Sequence, residues 1–175
     1  MTQKPETMAW EVEVLEDAAG WRDALPGCRD VVRRAAQAAL SGEARVPAQA
    51  ELCVVLTDDG RQRELNRRFR GIDKPTNVLS FPASEPGGSP GGPPDLLGDV
   101  VLALETCGRE AAEQGKSLSD HVSHLTVHGV LHLLGFDHEN DGEAELMERH
   151  ECRILAGLGI PDPYAAVAGG QGTSP

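Results

Sequence analysis

The chain has 175 residues, with 28 acidic and 16 basic side chains and a formal net charge of −12. This length suffices to bury one continuous core, so we expect a single domain over residues 1–175. The negative charge argues against a protein that coats DNA or RNA non-specifically, because phosphate contacts need an excess of lysine and arginine. No stretch approaches the roughly 20 apolar residues that cross a bilayer. Residues 1–14 lack the apolar core of a secretory signal, so we expect a cytoplasmic protein with no membrane partner.

Four segments have the residue types of β-strands. Residues 10–15 alternate apolar with acidic side chains, and residues 51–56 are a short β-branched run. Residues 78–81 and 97–104 are predicted to be the third and fourth strands, with a connection that permits a hairpin-like return. That connection, ASEPGGSPGGPPD at 83–95, is predicted to be a mobile surface loop because it is rich in glycine and proline.

Helical patterns dominate the rest of the chain. Pro26 restricts a first helix within 20–40 to a start near that proline, and Asp58 lies in the cap of a second helix that reaches residue 68. Three more helices are predicted over 105–114, from Ser117 or Ser119 to 134, and over 143–155. Residues 1–7 and 166–175 are expected to be disordered tails. Early strands and late helices predict an α+β fold, a small mixed four-stranded sheet covered by helices.

All six histidines lie between His121 and His150, and three of them have the spacing of metal ligands. His128 and His132 are four residues apart, so both rings project from one face of the long helix, about 6 Å apart at Cβ. Gly135 can end this helix in the left-handed conformation and return His138 toward the same ion. Three neutral imidazoles suit zinc, and they leave a fourth position for water, as in catalytic sites. We therefore predict one divalent ion, zinc, at the end of this helix.

Several neighbouring residues have open roles. His121 and His124 continue the same stripe and are expected to pack behind the ligands, although His124 can in principle replace one of them. Asp137 and Glu139 flank the third ligand, and either can orient a histidine or accept a proton. The spacing also matches the metzincin proteases, but these have glutamate as general base where this chain has Gly129.

A basic segment precedes the third strand. Residues 61–74 contain six basic and two acidic side chains, a local charge of +4. On charge alone, a solvated helix face is the simplest interpretation.

Three sequence blocks resemble the YbeY family: FRGIDKPTNVLSFP at 69–82, LGDVVL at 97–102 and HGVLHLLGFDH at 128–138. The resemblance implies a bacterial, metal-dependent, single-strand-specific endoribonuclease. It further implies a role in maturing the 3′ end of 16S ribosomal RNA and in ribosome quality control. The blocks differ from the family in two respects. Asn77 stands where many relatives have aspartate, and the insertion at 83–95 is longer than expected.

By position, the family's metal ligands fall on His128, His132 and His138, and its functional arginine falls on Arg70. A guanidinium can hold a phosphodiester by paired hydrogen bonds and stabilise charge on its oxygens, so Arg70 is the predicted catalytic residue. Contacts to the RNA backbone are also predicted from three further side chains. These are Arg67, Arg68 and Lys74.

The expected partners are single-stranded segments of ribosomal RNA and the ribosome or its proteins, and not DNA. Two other functions are compatible with the same residues. One is a ribosome-assembly or RNA-binding factor with a structural metal, and the other is a metal-dependent hydrolase of a small molecule. Aromatic residues are only 3% of the chain, which argues against base-stacking platforms.

Overall fold

A computed structural model of the chain describes residues 9–43, 46–83 and 95–165. These residues form an α+β fold with a four-stranded mixed sheet and six helices, as the sequence predicts. The strands are β1 (Ala9–Glu16), β2 (Gln49–Thr57), β3 (Val78–Pro82) and β4 (Asp95–Ala103). The helices are α1 (Gly20–Ala24), α2 (Cys28–Ser41), α3 (Asp59–Arg70), α4 (Leu104–Glu113), α5 (Leu118–Leu133) and α6 (Asp141–Gly157).

The sheet has the strand order β1-β2-β4-β3. β1 and β4 run parallel to β2, whereas β3 is antiparallel to β4. Alternate residues of β2 point to opposite faces, and Leu52, Val54 and Leu56 are buried on one of them. Burial therefore alternates along β2, and this alternation defines the core face of the sheet.

Helices α2 and α5 cover this core face. α2 contributes Val32, Ala36 and Leu40, all fully buried. α5 lies against β4 at Gly129, where an added Cβ would be 2.6 Å from Cγ1 of Val100. Only a glycine allows the helix and the strand to approach this closely.

Helix α3 packs on the other side of β4. Its buried Gln62 donates from Nε2 to the carbonyl oxygen of Val101 at 2.9 Å, and the ring of Phe69 lies edge-on to Phe81 at 5.3 Å between centroids. The cover is incomplete, since Leu15 on the same face is 46% exposed.

Helices α3 and α5 each begin after a side-chain oxygen that accepts a backbone hydrogen bond. Asp58 accepts a hydrogen bond from Arg61 N and begins α3, as predicted. Ser117, and not Ser119, begins α5 by accepting from Asp120 N at 3.1 Å.

The structure corrects two predictions near the sheet. Residues 20–24 form a separate short helix, because Pro26 disfavours helical backbone at the preceding residue, and Leu25 has the non-helical angles φ −140° and ψ 85°. Asp95 begins β4 and is not part of the predicted loop 83–95. The rest of that loop beyond Ala83, and the predicted tails 1–7 and 166–175, lie outside the described residues. Among the described residues, no helix has the length and apolarity required to span a membrane.

Candidate metal centre and substrate cleft

The three predicted metal ligands converge at the C-terminal end of α5. His128 and His132 lie one turn apart, with ring centroids 4.6 Å from each other. Gly135 has φ +97°, and its N–H donates to the carbonyl of His132, so the chain reverses as predicted. The reversal brings the ring of His138 to 5.0 Å from that of His132.

The nitrogen positions fit a single divalent ion. One ligand nitrogen from each of His128, His132 and His138 lies within 4.8 Å of the others. Nδ1 of His132 donates to the carbonyl of Phe136 at 3.0 Å, and Nδ1 of His128 contacts the carboxylate of Glu151. In the neutral rings both Nε2 atoms therefore carry lone pairs, and they lie only 3.1 Å apart. Two lone pairs at this distance repel each other unless a cation lies between them, and ligands of a tetrahedral zinc are about 3.3 Å apart.

The electrostatics of His132 also favour a neutral ligand. Burial lowers the pKa of His132, and the neighbouring His128 and His138 lower it further. Imidazole must be deprotonated to bind a metal, so the lowered pKa keeps His132 competent near neutral pH.

Glu151 is a functional candidate that the sequence reasoning missed. It lies on α6, is fully buried and contacts the rings of His128 and His124 and the hydroxyl of Tyr164. Burial by itself raises the pKa of this carboxyl, but the hydrogen bonds from the histidines and the tyrosine outweigh it and lower the pKa to about 2. The sequence did contain a signal for this residue. Glu151 lies one helical turn after Met147, so a charged side chain falls in the apolar stripe of this helix.

The other two histidines of the stripe, His121 and His124, each contact a glutamate. Nε2 of His121 is 3.0 Å from Glu110, and Nε2 of His124 is 3.3 Å from Glu151. His124 is therefore engaged behind His128 and is not one of the three converging ligands. This arrangement agrees with the expectation that both histidines pack behind the site.

The acidic residues beside His138 do not orient a histidine in the described chain. Asp137 accepts from the backbone N–H of His138 at 2.7 Å, and Glu139 donates its own N–H to Glu143. Asp137 nevertheless lines the cleft in front of the three histidines. Gly129 faces β4, so a glutamate at that position would enter the helix–sheet contact and not the cleft.

An open cleft of about 530 Å³ lies in front of the three histidines. Arg70, at the C-terminal end of α3, lines the same cleft, and the edge strand β3 provides Val78, Ser80 and Pro82. The structure thus brings together residues from two of the three sequence blocks, 69–82 and 128–138. Asn77, also in the lining, donates to both carboxylate oxygens of Glu110 at 2.9 and 3.3 Å. An aspartate at position 77 would face that carboxylate with like charge.

The basic segment divides into paired and unpaired side chains. Arg63 donates to both carboxylate oxygens of Asp73 at 2.8 and 3.1 Å, and Arg61 lies 3.8 Å from Glu64. Four exposed cations have no acidic partner within 4.0 Å among the described residues. They are Arg67, Arg68, Arg70 and Lys74. Of these four, Arg70 alone lines the cleft.

Comparison with known proteins gives a consistent family. The sequence profile described as Endoribonuclease YbeY matches residues 24–159. A protein named Endoribonuclease YbeY from Bradyrhizobium sp. (strain BTAi1) is 52% identical over 92% of this chain and 96% of its own length. Another protein of that name, from Azorhizobium caulinodans, is 53% identical over 91% of this chain and 99% of its own.

A solved structure shares the fold. The solution structure of TM1509 from Thermotoga maritima has a TM-score of 0.52 and 21% identity, and the match covers 84% of this chain and 91% of that one. At this identity the likeness shows the fold alone. The family profile and the relatives at about half identity show more: the chain belongs to the YbeY endoribonuclease family.

Proposed function

We propose that the protein is a zinc-dependent, single-strand-specific endoribonuclease that matures the 3′ end of 16S ribosomal RNA and takes part in ribosome quality control in the cytoplasm. The observation that carries the proposal is the position of Arg70, an unpaired guanidinium that lines the same cleft as the three converging histidines. The family supports RNA as the substrate, since the relatives are named endoribonucleases.

In this proposal the chain's own residues bind and orient the phosphodiester. Arg70 donates paired hydrogen bonds to the non-bridging oxygens and stabilises the charge that develops on them. His128, His132 and His138 would hold the ion. A bound divalent ion supplies Lewis acidity, which lowers the pKa of water and neutralises phosphoryl charge.

The exposed cations beside Arg70 extend the phosphate-binding surface. Arg67, Arg68 and Lys74 lie on the same segment and outside the cleft, so they are suited to the flanking backbone and not to the reacting bond. Contacts of this kind are independent of base sequence. A cleft open along β3 also suits an unpaired strand, whose phosphates can bend toward the histidines.

The test is cleavage of end-labelled RNA by the zinc-loaded protein and four variants. Arg70→Ala is expected to lower kcat/KM by about 10²–10³-fold, and Arg70→Lys should restore little, because lysine cannot form the paired hydrogen bonds. His128→Ala should abolish activity. Arg63→Ala is the matched control, since Arg63 is paired with Asp73 outside the cleft lining.

Substrate specificity and role have their own controls. A duplex of the same sequence should be resistant, and cells depleted of the protein should accumulate 16S RNA with extended 3′ ends. Equal cleavage by wild type, Arg70→Ala and His128→Ala would refute the proposed enzymatic function. No cleavage by a wild type that still binds RNA would favour an assembly factor with a structural metal.

A further inference from the structure

Glu151 is the most deeply buried acidic side chain near the three histidines. It is 0% exposed and shares its face of α6 with the buried Met147, Ile154 and Leu155. A carboxylate in such a position destabilises the folded state unless its oxygens are fully hydrogen-bonded. An apolar residue would fill the same stripe without this cost, so stability alone does not explain a glutamate here.

The two carboxylate oxygens of Glu151 have separate partners. Oε1 contacts Nδ1 of His128. Oε2 accepts from the hydroxyl of Tyr164 and lies 3.3 Å from Nε2 of His124. Since Tyr164 and His124 occupy Oε2, the orientation of the carboxylate is fixed and Oε1 is directed at His128.

We propose that Glu151, held by Tyr164 and His124, is the positioning residue that turns His128 into a metal ligand. Its carboxylate accepts the Nδ1 proton of His128, which leaves the Nε2 lone pair facing Nε2 of His132 at 3.1 Å. A carboxylate behind a histidine also makes the ring a stronger donor to a metal. This inference rests on the metal site of the proposed function.

The C-terminal segment is part of the same arrangement. Asp162 accepts from the backbone N–H of Tyr164 at 2.8 Å and of Ala165 at 3.3 Å, and Lys116 donates to the carbonyl of Pro163 at 3.2 Å. The Asp162 contacts shape the segment itself, and Lys116, between α4 and α5, holds it in place, so that the tyrosine hydroxyl contacts Glu151. A segment distant in sequence from the histidines therefore supports the metal ligand.

The chain contains a matched control for the buried pair. Glu110 contacts Nε2 of His121 at 3.0 Å, and both histidines lie on α5, but His121 is not one of the three converging ligands. Glu151→Gln and Glu110→Gln thus remove the same charge from similar pairs. Glutamine at 151 loses the charge-assisted hydrogen bond to His128, and its amide group presents a donor where donors already point.

The test is metal affinity, measured by competition with a chelator for Zn²⁺, together with the visible absorption of the Co²⁺ form. Glu151→Gln is expected to weaken binding about 10–100-fold and to change the Co²⁺ spectrum. Glu110→Gln should leave both nearly unchanged, and Tyr164→Phe should weaken binding several-fold. The unfolding temperature of the metal-free proteins separates metal binding from stability.

Each outcome decides the inference. A folded Glu151→Gln with wild-type affinity and spectrum would overturn it, as would an equal loss in Glu110→Gln. If Glu151→Gln does not fold, an unchanged affinity in Tyr164→Phe overturns it instead. A wild type that binds neither Zn²⁺ nor Co²⁺ would overturn both the metal site of the proposed function and this inference. A wild type that binds metal as tightly as Glu151→Gln does would overturn this inference alone.

Discussion

The contact between Gly129 and Val100 fixes how close α5 lies to the sheet, and it can be tested by adding one methyl group. In Gly129→Ala, the new Cβ would lie 2.6 and 3.1 Å from the two γ-carbons of Val100 and 3.2 Å from Oγ of Ser80. Val100 is fully buried and β-branched, so it cannot move aside freely. The helix itself must shift, and with it the adjacent His128.

The magnitude follows from two opposing effects. Overpacking a core costs about 1–3 kcal/mol. Alanine is favoured over glycine in a helix interior by about 0.8–1.0 kcal/mol. We therefore expect Gly129→Ala to lower the free energy of unfolding by roughly 0–2 kcal/mol, with a parallel loss of metal affinity because His128 is displaced.

Urea denaturation of the metal-free protein measures this effect, and two controls fix its sign. Gly108 lies in α4 with no atom within 4 Å of an added Cβ, so Gly108→Ala should stabilise the protein by up to about 1 kcal/mol. In a Val100→Ala background the two shortest contacts are removed and only that with Oγ of Ser80 at 3.2 Å remains, so Gly129→Ala should then become close to neutral or stabilising. If Gly129→Ala stabilises the wild type as much as Gly108→Ala does, the close-contact argument is wrong.

Three further predictions use other parts of the structure. Ser117→Ala should cost about 1 kcal/mol in urea denaturation because it removes the cap of α5, whereas Ser119→Ala should cost little, and equal effects would contradict the cap assignment. Burial lowers the pKa of His121 below its usual 6.5, so its contribution to stability is complete above that pH and is lost as pH falls toward the folded value. The metal-free wild type should therefore lose stability more steeply than His121→Gln below about pH 6.5, and parallel pH profiles would refute this. Lys74→Ala should reduce the salt dependence of single-stranded RNA binding by about 0.7 in logarithmic slope, and Arg63→Ala by less, since Arg63 is already paired; the reverse order would exclude Lys74 from the phosphate surface.

Features that depend on local sequence could be predicted. The first strand followed from alternation of apolar and acidic side chains, and the others from short apolar or β-branched runs. The arrangement of His128, His132 and Gly135 followed from helical spacing and from the backbone freedom of glycine. The split between α1 and α2 could also have been predicted, because Pro26 restricts the residue before it. The error lay in treating the proline as the start of one helix and not as a break between two.

Features that depend on tertiary contacts could not be predicted in the same way. The pairing of β1 with β2 and the position of β4 between β2 and β3 have no local signature. Glu151 contacts His128, which is 23 positions away in sequence and on another helix. Helical periodicity places Glu151 in a buried stripe of α6. It does not identify the side chain on another helix that hydrogen-bonds to this carboxylate.

Strand β4 determines the geometry of the candidate site because its consecutive residues Val100 and Val101 contact the helix that carries His128 and the helix that carries Arg70. The side chain of Val100 contacts Gly129, next to His128, while the carbonyl of Val101 accepts from Gln62, two turns before Arg70. The histidines and the arginine are on different helices and on opposite sides of the sheet, yet their separation is set by one short stretch of backbone. In the proposed function, a phosphodiester bound by Arg70 would meet the histidines at a fixed distance. Small changes at these two valines should therefore affect RNA cleavage more than either RNA binding or metal binding alone.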